Sequence, residues 1–271
     1  MTRPSRFPMA LDRVHAKPRP RTGAAGADVL RPQRPLHHAA EVAARQAVPS
    51  GLGLDSAAVR QRMVQRLRDE GLRHEALLQA FGAVERHRFV DSALATQAYE
   101  DTSLPIGWQQ TISKPSVVAR MLDLLLQGQA ARDQGHLGRV LEIGTGCGYQ
   151  AALLAHLSRS VVSIERLGPL HQKARENLAA LPVGDVRLLH ADGRLGHAPR
   201  APYTSIVAAA GGDVLPSAWL EQLALGGRLV APMHDASRGG QVLVVVDRRP
   251  EGLVTQHQDA VHFVPLKSGA E

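Results

Sequence analysis

Apolar positions along the first part of the globular sequence repeat at helical spacing, and later ones repeat at strand spacing. Val59, Met63, Val64 and Leu67 mark one face of a helix that Asp55 and Ser56 can cap and Gly71 ends. A short second helix over residues 75–81 turns Ala76, Leu77 and Ala80 inward. The stretch DTSLPIGWQQTISK, residues 101–114, has neither period and reads as a loop. Pro115 then opens a third helix, with Val117, Val118, Met121, Leu122 and Leu125 on one face. After Gly138 short apolar runs alternate with amphipathic ones. RVLEI, SVVSIE, DVRLLH, TSIVAAA and GRLVAPM read as strands, and residues 149–157, 167–181 and 216–225 as helices. QVLVVVD and AVHFVPL close the chain with no helix between them, so they are expected to pair as an antiparallel hairpin. Alternating strands and helices predict an α/β domain with a mostly parallel, doubly wound sheet.

Composition adds a boundary. Residues 1–55 carry nine Lys/Arg against four Asp/Glu, and also seven prolines. Residues 56–271 carry 23 against 21, so most of the net charge of +7 sits in the leading segment. Such a segment buries too little apolar surface to offset its ordering entropy and is expected to be a disordered tail. Contact with an anionic partner is the sharper alternative. The folded part divides into N-terminal helices with a substrate loop, residues 56–135, and a cofactor-binding sheet, residues 136–271. The start has no apolar core of a secretory signal, and its prolines oppose an amphipathic transit helix. No apolar run approaches 18 residues, so no membrane span is expected. Cys147 is the single cysteine, and no Cys/His spacing suggests a zinc site. A reducing cytoplasm is the simplest compartment.

The chemistry concentrates at VLEIGTGCGYQ, residues 140–150. Gly144, Gly146 and Gly148 fall at the turn from the first parallel strand into its helix, where open α/β sheets bind ligands. The spacing is G-x-G-x-G, which departs from the dinucleotide pattern G-x-G-x-x-G. Glu165 ends the second strand and can accept from both ribose hydroxyls. Asp192, in HADGR, can accept from an adenine amino group while the Gly193 main chain lies against the ring. Each has a bland alternative: glycines that only pack, a solvated glutamate, an ordinary Asp-Gly turn. Glu142 lies inside the first strand, where a carboxylate needs a partner. It can hold a ligand's ammonium or the loop's own amides. A pyrophosphate would be repelled there, which favours S-adenosylmethionine over NAD. His156, His190 and His262 lie in or beside regular elements and carry no catalytic expectation.

AYEDTSLPIGWQQTISKPSVVARML, residues 98–122, resembles the signature of protein-L-isoaspartate O-methyltransferases. VLEIGTGCGYQAALLAHL, SIERL, HADGR, LEQLALGGRLVAP and FVPL are similar to that family's later motifs, and the resemblance spans roughly residues 57–268. It implies a Rossmann-like class I methyltransferase fold. It also implies methylation of the free carboxylate of L-isoaspartyl residues, with S-adenosylmethionine as donor and repair through a succinimide. By motif position Ser113 is the expected active-site serine. Thr111, Ile112, Glu142, Gly144, Gly146, Gly148, Glu165, Arg166, Asp192 and Gly193 would surround the donor. Ile106, Gly107 and Trp108 would face the peptide. Trp108 and the segment AAAGGDVLP depart from the form common in the family.

A carboxylate acceptor is ionised at neutral pH, so no general base is needed. Ser113 then serves as a hydrogen-bond donor that orients one acceptor oxygen, with Thr111 or main-chain amides holding the rest. It can also cap the helix that Pro115 opens. The expected partners are isoaspartyl proteins and peptides, bound by a monomer, with no specific nucleic acid and no metal. An NAD-dependent oxidoreductase, a nonenzymatic nucleic-acid binder and a methyltransferase for another carboxylate are the competing readings.

Overall fold

The computed structural model describes residues 57–271. The expected tail and the cap formed by Asp55 and Ser56 lie outside the described residues. Helices α1 (Ala57–Asp69) and α2 (Glu75–Ala83) come first. Met63, Val64 and Leu67 of α1 are buried, as their spacing requires. In α2 the buried set is Leu77, Leu78, Ala80 and Phe81, and Ala76 faces solvent instead. Two 3-10 turns, Arg86–Phe89 and Ser92–Gln97, lead to a two-stranded ladder of β1 (Leu104–Gly107) and β2 (Gln110–Ile112).

The 101–114 segment is therefore a hairpin rather than a loop. Its two turn residues, Trp108 and Gln109, both have positive φ, at 49° and 58°. That geometry matches the twist of paired strands. Glycine or asparagine normally signals it, and neither stands at these positions, so the sequence pattern gives no hairpin signal.

Helices α3 (Pro115–Leu126) and α4 (Gln129–Gln134) precede the sheet. The parallel strands are β3 (Arg139–Ile143), β4 (Ser160–Glu165), β5 (Val186–His190), β6 (Tyr203–Ala208) and β7 (Leu223–Asp235). Helices α5 (Tyr149–Leu157), α6 (Gly168–Ala179) and α7 (Ser217–Gln222) lie among them. Two antiparallel strands, β8 (Gly240–Arg249) and β9 (Gly252–Val261), complete an order of β5-β4-β3-β6-β7-β8-β9. The order reverses between β3 and β6, which creates the switch point at the carboxyl ends of the strands.

Side chains alternate between the sheet's two faces. Val140, Val161, Val207 and Val230 join the core built with Phe81, Leu122 and Leu153. Leu141, Val162, Ile206 and Leu229 join the opposite core, with Tyr203 and Trp219. Helix α5 is buried almost all round because the N-terminal helices cover it from outside. Phe81 and Phe89 meet Tyr149 edge-on, at centroid distances of 6.4 and 5.4 Å.

The closing hairpin is present, but its second strand is Gly252–Val261 and not AVHFVPL. Strand β9 is a largely exposed edge, and its polar side chains lack the alternation by which a strand is read. The FVPL segment leaves the sheet and is held by Gly211, whose amide donates to the Val264 carbonyl at 2.8 Å and whose carbonyl accepts from Leu266 at 2.6 Å.

Arg228 binds Asp247 through two parallel bonds, at 2.7 and 2.8 Å, and donates to the Leu124 carbonyl at 3.0 Å. It ties β7 and β8 to the end of α3. Both partners are largely buried, so removing one strands the other's charge. Arg228→Met is expected to lower unfolding free energy by about 3 kcal/mol, measured as a shifted urea midpoint at unchanged slope.

Candidate functional site

The three glycines after β3 all take left-handed backbone: Gly144 at φ 88°, Gly146 at 56° and Gly148 at 92°. Glycine adopts such backbone without strain. A Cβ on Gly146 would also stand 3.2 Å from the Ile106 side chain of the hairpin. The Gly146 amide donates to Glu165 Oε2 at 2.8 Å, and the Leu167 amide donates to Oε1 at 3.0 Å. One carboxylate thus joins the turns after β3 and β4. Glu165 lines the cavity with further lone pairs on both oxygens.

Glu142 differs from expectation. It is fully buried one pleat behind the turn, does not line the cavity and binds no loop amide. Its Oε2 accepts from the hydroxyl of Ser163, its register partner on β4, and that hydroxyl lies 2.6 Å from Thr145 Oγ1. Glu142 therefore supports the glycine turn from beneath, because the strand alternation points it toward α5 rather than over the strand ends. Its Oε1 and the Gln150 amide interact electrostatically without forming a well-aligned hydrogen bond. Burial drives its pKa up to about 8, against the opposing Ser163 hydrogen bond and the nearby Gln150 amide.

On the other side of the cavity, the Ser113 carbonyl accepts from the buried Arg86 guanidinium at 2.7 Å. Ser113 is not the cap of α3. Lys114 occupies the cap position, and the carboxylate of Asp101 caps from a distance, accepting from the Ser116 amide and hydroxyl at 2.8 Å each. Burial pushes the Asp101 carboxyl up, but these bonds and the Lys114 charge outweigh it and hold it below its ordinary value. Freed from capping, Ser113 keeps its side chain for the cavity that it lines.

The Asp192–Gly193 turn is held by α7. Trp219 Nε1 donates to the Gly193 carbonyl at 2.8 Å. Gln222 accepts from the His197 amide and donates to the Leu195 carbonyl, at 2.7 and 2.9 Å. Gly193 lies so close to Ile143 that a Cβ would come within 2.6 Å of its Cγ2. Asp192 is engaged locally. One oxygen accepts from the Arg194 amide at 2.8 Å and the other from the Gly269 amide at 2.7 Å. The chain's last residues thus cross this edge, where Arg166 pairs with Glu271 at 2.6 Å.

A cavity of about 200 Å³ gathers Ile106, Thr111, Ile112 and Ser113 against Gly144, Gly146, Glu165, Arg166 and Gly193. Gly107, Trp108, Glu142, Gly148 and Asp192 stand outside its lining. Gly148 instead packs its backbone on Leu178 and Ala174 of α6. Trp108 is half exposed at the hairpin tip, because the two-residue turn projects it away from the strands.

A family model for protein-L-isoaspartate(D-aspartate) O-methyltransferase matches residues 58–271. The chain is 62% identical to the protein-L-isoaspartate O-methyltransferase of Methylibium petroleiphilum, across 98% of this chain and 97% of that one. It is 61% identical to the enzyme of the same name from Leptothrix cholodnii, across 88% and 84%. The chain belongs to this methyltransferase family. A solved protein-L-isoaspartate O-methyltransferase superposes with a TM-score of 0.69 at 26% identity, covering 77% of this chain and 66% of the other. A Plasmodium falciparum structure in complex with S-adenosyl-L-homocysteine shares the fold, with a TM-score of 0.63 at 21% identity, over 77% and 98%. The class I methyltransferase fold is thus established, and the reaction is methylation of isoaspartyl carboxylates by S-adenosylmethionine.

Several residues of this isoaspartyl methyltransferase's cavity lie within the family-like motifs without being marked there as site residues. Tyr149 and Gln150 start α5, and Val264, Pro265 and Leu266 arrive from the far end of the chain. FVPL matched a family motif, but only the tertiary path brings it beside Gly211. Trp219 and Gln222 are the least legible, since they act on the cavity through main-chain carbonyls and amides.

The Glu142 carboxyl has a folded-state pKa above its ordinary 4.5. Its protonated form therefore favours the fold below pH 4.5, and that contribution is lost as pH rises through about 8. Glu142→Gln, which is neutral throughout, should flatten the fall in unfolding free energy across that window. Urea titrations at stepped pH measure it, and parallel curves for the two proteins would contradict this account.

Proposed function

We propose that the cavity aligns an isoaspartyl carboxylate with the methyl donor between Ser113 and the glycine turn. The observation that carries this reading is the single cavity shared by Ser113 and Thr111 on one wall and by Gly144, Gly146 and Glu165 on the other. The residues fit an adenosyl donor. Glu165 faces the cavity with lone pairs for ribose hydroxyls, and the main chain at Gly146 and Gly193 lies bare where a ligand's flat surfaces would rest. Arg166, Thr111 and Ile112 border the same space. When bound, S-adenosylmethionine supplies an electrophilic methyl group on a sulfonium.

The protein's own part is alignment. The acceptor carboxylate is ionised above pH 4 or so and needs no base. The Ser113 hydroxyl donates to one of its oxygens and turns the other toward the methyl carbon. Fixing two reactants in this way is worth up to about 7–11 kcal/mol of barrier when the geometry is ideal. Gln109 and Gln110 of the hairpin border the cavity and offer amides to the peptide main chain. Isoaspartyl proteins are the partners, the working form is a monomer, and the compartment is the cytoplasm. Cys147 is buried, and no helix among the described residues is long and apolar enough to cross a membrane.

Labelled methyl groups should pass from S-adenosylmethionine to an isoaspartyl peptide and not to its aspartyl twin. Equal labelling of both would remove the specificity and favour a methyltransferase of broader carboxylate range. Calorimetric titration should show binding of S-adenosylhomocysteine and none of NAD.

Ser113→Ala should lower kcat about tenfold to a hundredfold while S-adenosylhomocysteine affinity stays near wild type. A variant that loses donor affinity but keeps kcat would contradict the role given to Ser113.

A further inference from the structure

Arg86 is fully buried, yet among the described residues it forms no ion pair with a carboxylate. It stands in the 3-10 turn after α2. Its Nε donates to the Ala98 carbonyl at 2.7 Å, and its Nη2 donates to the Ser113 carbonyl at 2.7 Å. Its guanidinium carbon lies 4.8 Å from the centre of the Tyr149 ring. Nη1 and the Tyr149 hydroxyl are both buried, and they interact electrostatically without a well-aligned hydrogen bond. Ser113 and Tyr149 both line the cavity, so this cation stands directly behind two of its walls.

Buried charges are ordinarily paired, because an unpaired one loses its hydration without compensation. Among the described residues no carboxylate touches Arg86, and the Asp101 charge acts on it only across a distance. Burial pushes the Tyr149 phenol and the Cys147 thiol up, so both stay neutral at physiological pH. The Asp101 carboxylate is already held by Ser116 and Lys114. A neutral donor would suffice to hold the Ser113 carbonyl. What a guanidinium adds is a rigid fork that reaches two carbonyls at once and a positive field in a pocket that receives an anion.

We propose that Arg86 is a positioning residue for methyl transfer, fixing Ser113 through its carbonyl and favouring an anionic acceptor through a buried charge that no carboxylate contacts. The proposal rests on the role given above to Ser113. The two functions of Arg86 separate by substitution. Arg86→Lys keeps the charge but cannot span both carbonyls. Arg86→Met keeps the volume and loses both properties. Arg86→Ala leaves a hole shaped for free guanidinium.

Steady-state kinetics with an isoaspartyl peptide, S-adenosylhomocysteine calorimetry and circular dichroism would be run on wild type, Ser113→Ala and the three Arg86 variants. Arg86→Lys should lose roughly tenfold in kcat at near-constant peptide KM. Arg86→Met should lose roughly a hundredfold in kcat, the scale expected of a small misplacement, and its peptide KM should rise as well. Affinity for S-adenosylhomocysteine should stay within about twofold of wild type in each, the scatter allowed between sites that do not interact. Millimolar guanidinium chloride should restore part of the Arg86→Ala activity, and sodium chloride at equal ionic strength should not.

Wild-type kcat and KM in Arg86→Lys and Arg86→Met, alongside an impaired Ser113→Ala, would overturn this proposal and leave the role of Ser113 intact. Activity that falls only in proportion to the folded fraction, or together with donor affinity, would also overturn it, since a purely structural role predicts that pattern. A wild-type protein that labels no isoaspartyl peptide would instead overturn the functional reading and this inference together.

Discussion

The carboxylate of Glu165 holds together the turns that leave β3 and β4. One oxygen accepts from Gly146 and the other from Leu167. That bridge adds a side-chain anchor to a turn with three left-handed glycines, whose Gly144 amide already donates to the Ile164 carbonyl at 2.8 Å. Ser163, Thr145 and Glu142 brace the same turn from below, so its floor is fixed from two strands at once. A rigid, bare backbone at the switch point is what an α/β sheet needs in order to orient a ligand rather than merely admit one.

The second wall is built from a different part of the chain by the same means. Main-chain groups are pinned by buried or half-buried side chains that do not themselves enter the cavity. Arg86 holds the Ser113 carbonyl, Asp101 caps α3, and Trp219 holds Gly193. Lys173 of α6 reaches across to the Ile106 carbonyl at 3.1 Å and links the hairpin to the helices of the parallel sheet. The cavity walls are thus held by hydrogen bonds from both sides, the arrangement that alignment of two reactants requires. The chain's last residues add an outer border, where Gly269 and Glu271 engage Asp192 and Arg166. That border explains why Asp192 is turned to the protein rather than to the cavity.

The alternation of apolar runs determined β3, β4 and α5 residue for residue, and the order of the remaining parallel strands along the chain, because buried parallel strands and their helices leave strong local periods. Strand β7, however, starts four residues before its expected GRLVAPM. Glycine spacing and the 98–122 motif located the two walls of the cavity. Tertiary structure alone decided the rest, and the reason is physical. The hairpin at Leu104–Ile112 turns through Trp108 and Gln109, which lack the usual turn chemistry. Strand β9 is a polar edge whose pairing is made by its backbone. Glu142 was legible as a buried acid, but the sheet's pleat decided that it lies beneath the turn and not above it. Arg86 and Trp219 act through main-chain carbonyls distant in sequence, and no local pattern of side chains encodes a contact of that kind.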